Sequence, residues 1–150
     1  TLAHRIVPEV IQNQFVLYQL RTLSKEFYES GDLDFLIGKV VKFEVPEIGA
    51  QWFFTLPEHQ NQIAIIRETD NHEVCFSASV EALVLMASQK VDPDTLFFNR
   101  KLKITGDTEL GLEIKNLIDQ FDIQQLHPLV QKGLDYWSEQ LLELNHAKVC

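Results

Sequence analysis

The groups in this 150-residue sequence best suited to bind a metal or move a proton are few. They are His4, His59, His72, His127 and His146, the thiols of Cys75 and Cys150, and two close carboxylate pairs, Asp92 with Asp94 and Asp107 with Glu109. Metal ligation needs several donors at short spacing, as in HExxH, and these histidines are scattered through expected turns and ends. No GxSxG elbow, P-loop or GxGxxG motif occurs. Cys75 alternates within a strand beside Phe76, the setting of an inert buried thiol rather than a nucleophile. Both carboxylate pairs stand where helices are expected to begin, so capping accounts for them without acid–base chemistry. The residues thus predict no catalytic group, no metal site and no cofactor.

The elements that hold these residues follow from hydrophobic spacing. From Pro8, placed at a first helical position, to about Glu29 the chain reads as a helix. It carries Ile11, Phe15 and Tyr18 on one face and Leu20, Leu23 and Phe27 nearer another, so more than one neighbour is expected. Ser30-Gly31-Asp32 breaks it, and Asp32 is expected to cap a short helix ending at Gly38. In the strand that follows, Val41, Phe43 and Val45 alternate with Lys42 and Glu44. A PEIG turn leads to a second strand with Trp52, Phe54 and Leu56 on one face. Two more strands, NQIAIIRE and EVCFSAS, flank a polar TDNH turn. Short turns throughout imply an antiparallel meander.

Helices then resume. Ser79 is expected to cap the apolar helix VEALVLMASQK, and Asp92-Pro93 to open a short helix through Leu96 and Phe97. In KLKIT, Leu102 and Ile104 alternate with Lys101, Lys103 and Thr105, giving a fifth strand with one wet face. Gly106 makes its corner, and Asp107 caps a helix whose stripe is Leu110, Ile114, Leu117, Ile118 and Phe121. Lys115 and Asp119 are expected to pair on the opposite side. Gly111, inside that helix, marks a close approach by either a neighbouring strand or a ligand. From Pro128 on, Val130, Leu134, Trp137, Leu141 and Leu144 mark an amphipathic last helix.

The expected fold is α+β, an antiparallel sheet of about five strands covered on one face by helices. One domain is expected over 1–150, with a helical opening at 8–38, sheet at 39–79, helices and fifth strand at 80–121, and a C-terminal helix at 128–145.

Bulk composition narrows the partners. Hydrophobic residues make up 45% and charged ones 23%, ordinary for a globular protein long enough to bury roughly 70% of its unfolded surface. Thirteen Lys and Arg against twenty-two Asp and Glu leave a net charge of -9, which disfavours nucleic acid and lasting attachment to anionic lipid. Apolar helix faces can still touch a bilayer transiently. Arg100, Lys101 and Lys103 form a basic group, best read as protecting an edge strand. No apolar run reaches the roughly 20 residues that span a membrane. The opening TLAHRIVPEV lacks the layout of a secretory signal, and the missing initiator Met suggests a trimmed start. Two free thiols point to a reducing compartment, and the cytoplasm is the expected location.

The strand, Gly-Asp corner and apolar helix with a lysine resemble the signature of the sterol-carrier-protein type 2 domain, a small lipid-binding fold. The longer stretch DPDTLFFNRKLKITGDTELGLEIKNLIDQFD is similar to a bacterial subfamily of ubiquinone-biosynthesis accessory factors. SGDLDFLIGK, QWFF and VCFSAS follow in the same order, so the resemblance runs from about Phe15 to Phe121. It implies an apolar cavity for a prenylated quinone or other lipid, and a role beside an iron–sulfur hydroxylase pair in oxygen-independent synthesis. The lining it implies is Leu96, Phe97, Phe98, Leu102, Ile104, Leu110, Ile114, Leu117 and Ile118. Strand alternation adds Phe43, Trp52, Phe54 and Phe76. Two other functions fit the same residues, a docking adaptor with a vestigial cavity and a general lipid or fatty-acyl carrier.

Overall fold

The computed structural model describes residues 9–59 and 62–149. Pro8, His4 and Cys150 lie outside them, as does the side chain of His146. Helix α1 (Glu9–Glu29) leads to strands β1 (Val40–Val45), β2 (Ala50–Thr55), β3 (Ala64–Ile66) and β4 (Val74–Ala78). Helices α2 (Val80–Ala87) and α3 (Pro93–Phe98) precede β5 (Leu102–Gly106), and α4 (Thr108–Asp119) and α5 (Pro128–Val149) complete the order.

The five strands pair in the order β3-β2-β1-β4-β5. All neighbours are antiparallel except β1 and β4, which run parallel. The expected meander therefore stops at β3. Residues 67–73, whose composition suits a tight turn, instead carry the chain across three strand spacings to the far side of β1, about 14 Å away. His72 in this crossing lies against Phe53, ring centroids 6.2 Å apart, on the sheet face opposite the helices. That contact helps explain why Phe53 is buried on an otherwise polar face. Glu73 fastens the end of the crossing to the start of β1 on one side and to the corner after β5 on the other. Its carboxylate accepts from Val40 N–H, its own N–H donates to Val40 O, and its carbonyl accepts from Asp107 N–H.

Three helices start as their sequences dictate. The side chains of Ser79, Asp92 and Asp107 accept from Ala82, Thr95 and Leu110 N–H at 3.0, 2.8 and 3.1 Å. Asp32 departs from expectation: it accepts from Ser30 Oγ, and the short 3-10 turn Asp34–Leu36 has no side-chain cap. Helices α1, α2 and α3 end alike, with the second residue past the helix left-handed and the N–H after it reaching back five residues. Gly31 takes that position after α1, but Gln89 (φ +60°) and Arg100 (φ +61°) take it after α2 and α3.

The core lies between one face of the sheet and the helices. Val41, Val74, Phe76, Ala78 and Leu102 meet Ala82, Met86, Leu96, Leu110, Ile114 and Leu117 there. Three expectations need correction. Lys115 is buried in α4 and pairs with Asp94 rather than Asp119, its ammonium 5.6 Å from the Phe97 ring centre. Trp137 is 62% exposed, because α5 turns Val130, Leu134, Ser138 and Leu141 inward instead. Helix α1 does touch two neighbours, β3 and the turn at 123–125, but its Ile11, Phe15 and Tyr18 face is exposed rather than covered by either.

Candidate functional site

Strand register aligns the apolar residues into rows. Trp52, Phe43, Phe76 and Ile104 are successive partners across β2, β1, β4 and β5, so all four project from one face. Phe43 stacks on Phe76 at 6.3 Å between centroids and tilts against Trp52 at 6.5 Å. The next row is Phe54, Val41 and Val74, ending at Gly106. A third pair, Ala78 with Leu102, lies on the other side of the first row. Helix α4 rests on this wall with Leu110, Ile114 and Leu117 buried. Gly111 is what lets it approach: a Cβ there would stand 2.5 Å from Ile104 Cγ2 and 3.2 Å from Val74 Cγ2. Of the two readings of that glycine, a neighbouring strand is what the structure provides.

The expected lining thus divides. Leu96, Leu102, Leu110, Ile114, Leu117 and Phe76 belong to the buried cluster, and Phe43, Phe54, Ile104 and Ile118 pack against it half-buried. Trp52 is half-buried at the β2 end of its row. Phe97 is half-buried beneath Lys115. Phe98 is 78% exposed, because α3 turns Leu96 inward and the residue two positions on cannot share that side.

The wall carries no ionisable side chain. Cys75, Lys42, Glu44 and Thr105 occupy the opposite sheet face, where burial first and the Glu44 carboxylate second push the Cys75 thiol above its usual range. His127 Nδ1 accepts from Leu129 N–H at the start of α5, and His59 is exposed. Among the described residues, no three His, Cys, Asp or Glu side chains converge as metal ligands. No described helix is long and apolar enough to cross a membrane.

Two open grooves are present, and one of them reaches the wall at Trp52. One of about 300 Å³ lies at the β2–β3 end, touching Trp52, Phe53, Ile65 and Asn13. The other, about 270 Å³, lies between the end of α2, the start of α3 and the end of α4. Its base is Met86, Val91, Ile118 and Phe121, and its margin carries Gln89, Asp92 and Asp119. The apolar four all belong to or pack against the core cluster. Sequence reasoning read Gln89 as helix and Asp92 as a cap only. The composition of SQKVD gives no sign that its chain bends back over α4.

Known proteins agree with this architecture. The model of the SCP-2 sterol transfer family matches residues 17–119. The ubiquinone biosynthesis accessory factor UbiT of Escherichia coli K12 is 35% identical over 122 residues, 81% of this chain and 68% of that protein. Among solved structures, the UbiJ-SCP2 ubiquinone synthesis protein superimposes with a TM-score of 0.57 at 18% identity, covering 81% of this chain and 98% of its own. Sterol carrier protein 2 of Yarrowia lipolytica, in its apo form, gives 0.52 at 13% identity over 75% and 93%. With the family match spanning the sheet and α4, this chain belongs to the SCP-2 sterol transfer family.

Proposed function

We propose that this protein is a non-catalytic lipid-binding accessory factor of ubiquinone biosynthesis, which holds a prenylated quinone intermediate against its apolar wall and presents it to partner enzymes. The observation that carries this reading is the Trp52–Phe43–Phe76–Ile104 row, an uncharged surface spanning four strands under a helix that glycine brings close. An isoprenoid chain offers no charge and few polar atoms. Its affinity must come from removal of apolar area from water, about 25 cal/mol per Å². The row supplies aromatic and aliphatic surface for that purpose, and the groove at Trp52 gives the chain a place to enter. The UbiT and SCP2 relationships support lipid as the ligand and ubiquinone synthesis as the setting. Chemistry on the ring would then belong to the partners, the iron–sulfur hydroxylase pair of the oxygen-independent route.

Leu117, buried in α4 above the wall, is the position to test. Leu117→Trp adds bulk where α4 packs over the wall, the side from which a tail would have to enter. The variant is expected to keep its circular dichroism spectrum and lose binding of a farnesylated benzoquinone. Ile104→Phe, at a half-buried site on the wall, is the second variant should Leu117→Trp fail to fold. Unchanged binding in a folded variant would place the ligand elsewhere.

A further inference from the structure

The groove between α2, α3 and α4 has a chemical character distinct from the wall and meets it only through the shared core. At about 270 Å³ it is too small for a long isoprenoid tail, yet ample for one substituted ring, since a cavity of about 150 Å³ suffices for benzene. Its base is apolar and continuous with the core through Met86, Ile118 and Phe121. Its margin carries three polar side chains, all exposed enough to turn toward a ligand: Gln89, Asp92 and Asp119.

Gln89 occupies a position where glycine is usual, and its left-handed backbone is disfavoured for a side chain of its size. What its side chain does there is span the groove. Its Nε2 donates to the Phe121 carbonyl beyond the end of α4, joining the two sides. That bond uses one of the amide's two N–H donors and leaves its carbonyl oxygen as an acceptor. Asp92 holds Thr95 N–H and Oγ1 with its two oxygens, each of which retains a lone pair. Those bonds from Thr95 also hold its carboxyl below the usual range, so it stays an anion at neutral pH. Asp119 makes no hydrogen bond or ion pair among the described residues. The margin is therefore rich in acceptors.

We propose that this groove is the head-group subsite for a prenylated phenol or hydroquinol, whose hydroxyl donates to Asp92 or Asp119 while the ring lies on Met86, Ile118 and Phe121. A fully oxidised quinone carries only acceptors and would face two carboxylates, with the second N–H of Gln89 as the one donor the margin offers it. The subsite thus selects reduced or incompletely oxidised ring precursors over finished quinone. This inference rests on the lipid-binding reading above and adds the identity of the head.

Three probes with one tail separate the possibilities: farnesylated phenol, the corresponding farnesyl benzoquinone, and farnesol, which has no ring. Titrated into the full chain and followed by tryptophan fluorescence, the phenol is expected to bind about tenfold more tightly than the quinone. In the Asp92→Asn, Asp119→Asn double variant that preference should fall to within twofold or reverse, because each amide adds a donor while Asn still caps α3. Farnesol binding should be unchanged by the double variant. Gln89→Ala should weaken the phenol and leave farnesol as it was. Equal affinity for phenol and quinone in the unmodified protein, or an unaltered preference in the double variant, overturns the subsite. If farnesol binds yet the ring adds nothing, the tail reading stands and this one fails. Failure of all three probes to bind removes both.

Discussion

Gly106 makes the Gly-Asp corner and Gly111 lies in the helix that follows, and an added methyl group at each meets a different kind of obstacle. Gly106 has φ +92°, and its Cβ would sit 2.5 Å from the Glu73 carbonyl oxygen and 3.2 Å from Val74 Cα. Those are backbone atoms, and the carbonyl is already bonded to Asp107 N–H at 2.8 Å. No rotamer change can relieve the contact. Alanine there brings backbone strain of about 1–3 kcal/mol and a steric term of about 1–3 kcal/mol. The stiffer unfolded chain opposes this by about 0.4–1 kcal/mol. A loss of about 1–6 kcal/mol follows for Gly106→Ala. At Gly111 the backbone is regular helix, and the obstacle is the Ile104 methyl group at 2.5 Å. Helix propensity there favours alanine by about 0.5–1 kcal/mol, against overpacking of about 1–3 kcal/mol. The net loss for Gly111→Ala is about 0–2 kcal/mol. Urea denaturation monitored by far-ultraviolet circular dichroism measures both, and for a chain of this length each kcal/mol moves Tm by about 2–4 °C. Gly106→Ala within 1 kcal/mol of the unmodified protein, or Gly111→Ala the more damaging of the two, would refute the reasoning.

Three further outcomes follow from the same contacts. Phe98→Ser should shift stability by less than about 0.5 kcal/mol and leave lipid binding intact, since the ring is outside the wall; a loss of binding would return Phe98 to the site. Cys75, buried with its thiol pushed up, should react with iodoacetamide far more slowly in folded than in urea-unfolded protein in a Cys150→Ser background; equal rates would show that the outer sheet face opens freely. Asp92 has a folded pKa below its ordinary 3.8, so its contribution to stability is complete above that value and is lost as pH falls through the lower folded one. The Tm difference between the unmodified protein and Asp92→Ala should therefore be flat down to about pH 5 and shrink below about pH 4. A difference that grows on acidification would reverse the sign of that argument.

What could be read in the sequence is what local chemistry controls. Alternation assigned Phe43, Trp52, Phe54, Phe76, Leu102 and Ile104 to faces, and register shows that they share one. Ser79, Asp92 and Asp107 announced their helices because a cap depends on the three or four residues that follow it. The position of β4 was not legible. Residues 67–73 have turn-like composition, but pairing energy along β1 decides where the next strand lies, and no local signal encodes a crossing. Lys115 was misread for a related reason: its partner Asp94 comes from α3, whereas helical spacing sees only Asp119. Trp137 fits the periodic stripe of α5, yet tertiary packing rotates that helix to bury Ser138. The groove around Gln89 was invisible because a left-handed helix end with glutamine carries no compositional mark.

Mass spectrometry of the organic extract tests the central claim most directly. The protein would be purified natively, without detergent, from quinone-producing cells grown without oxygen, beside a control protein of equal size. Prenylated aromatic lipid in stoichiometric amount, enriched in the unmodified protein and depleted in Leu117→Trp, is the result expected. An extract indistinguishable from the control, from protein that still captures the hydroxylase partners, would contradict the lipid-carrier account and support the docking adaptor instead.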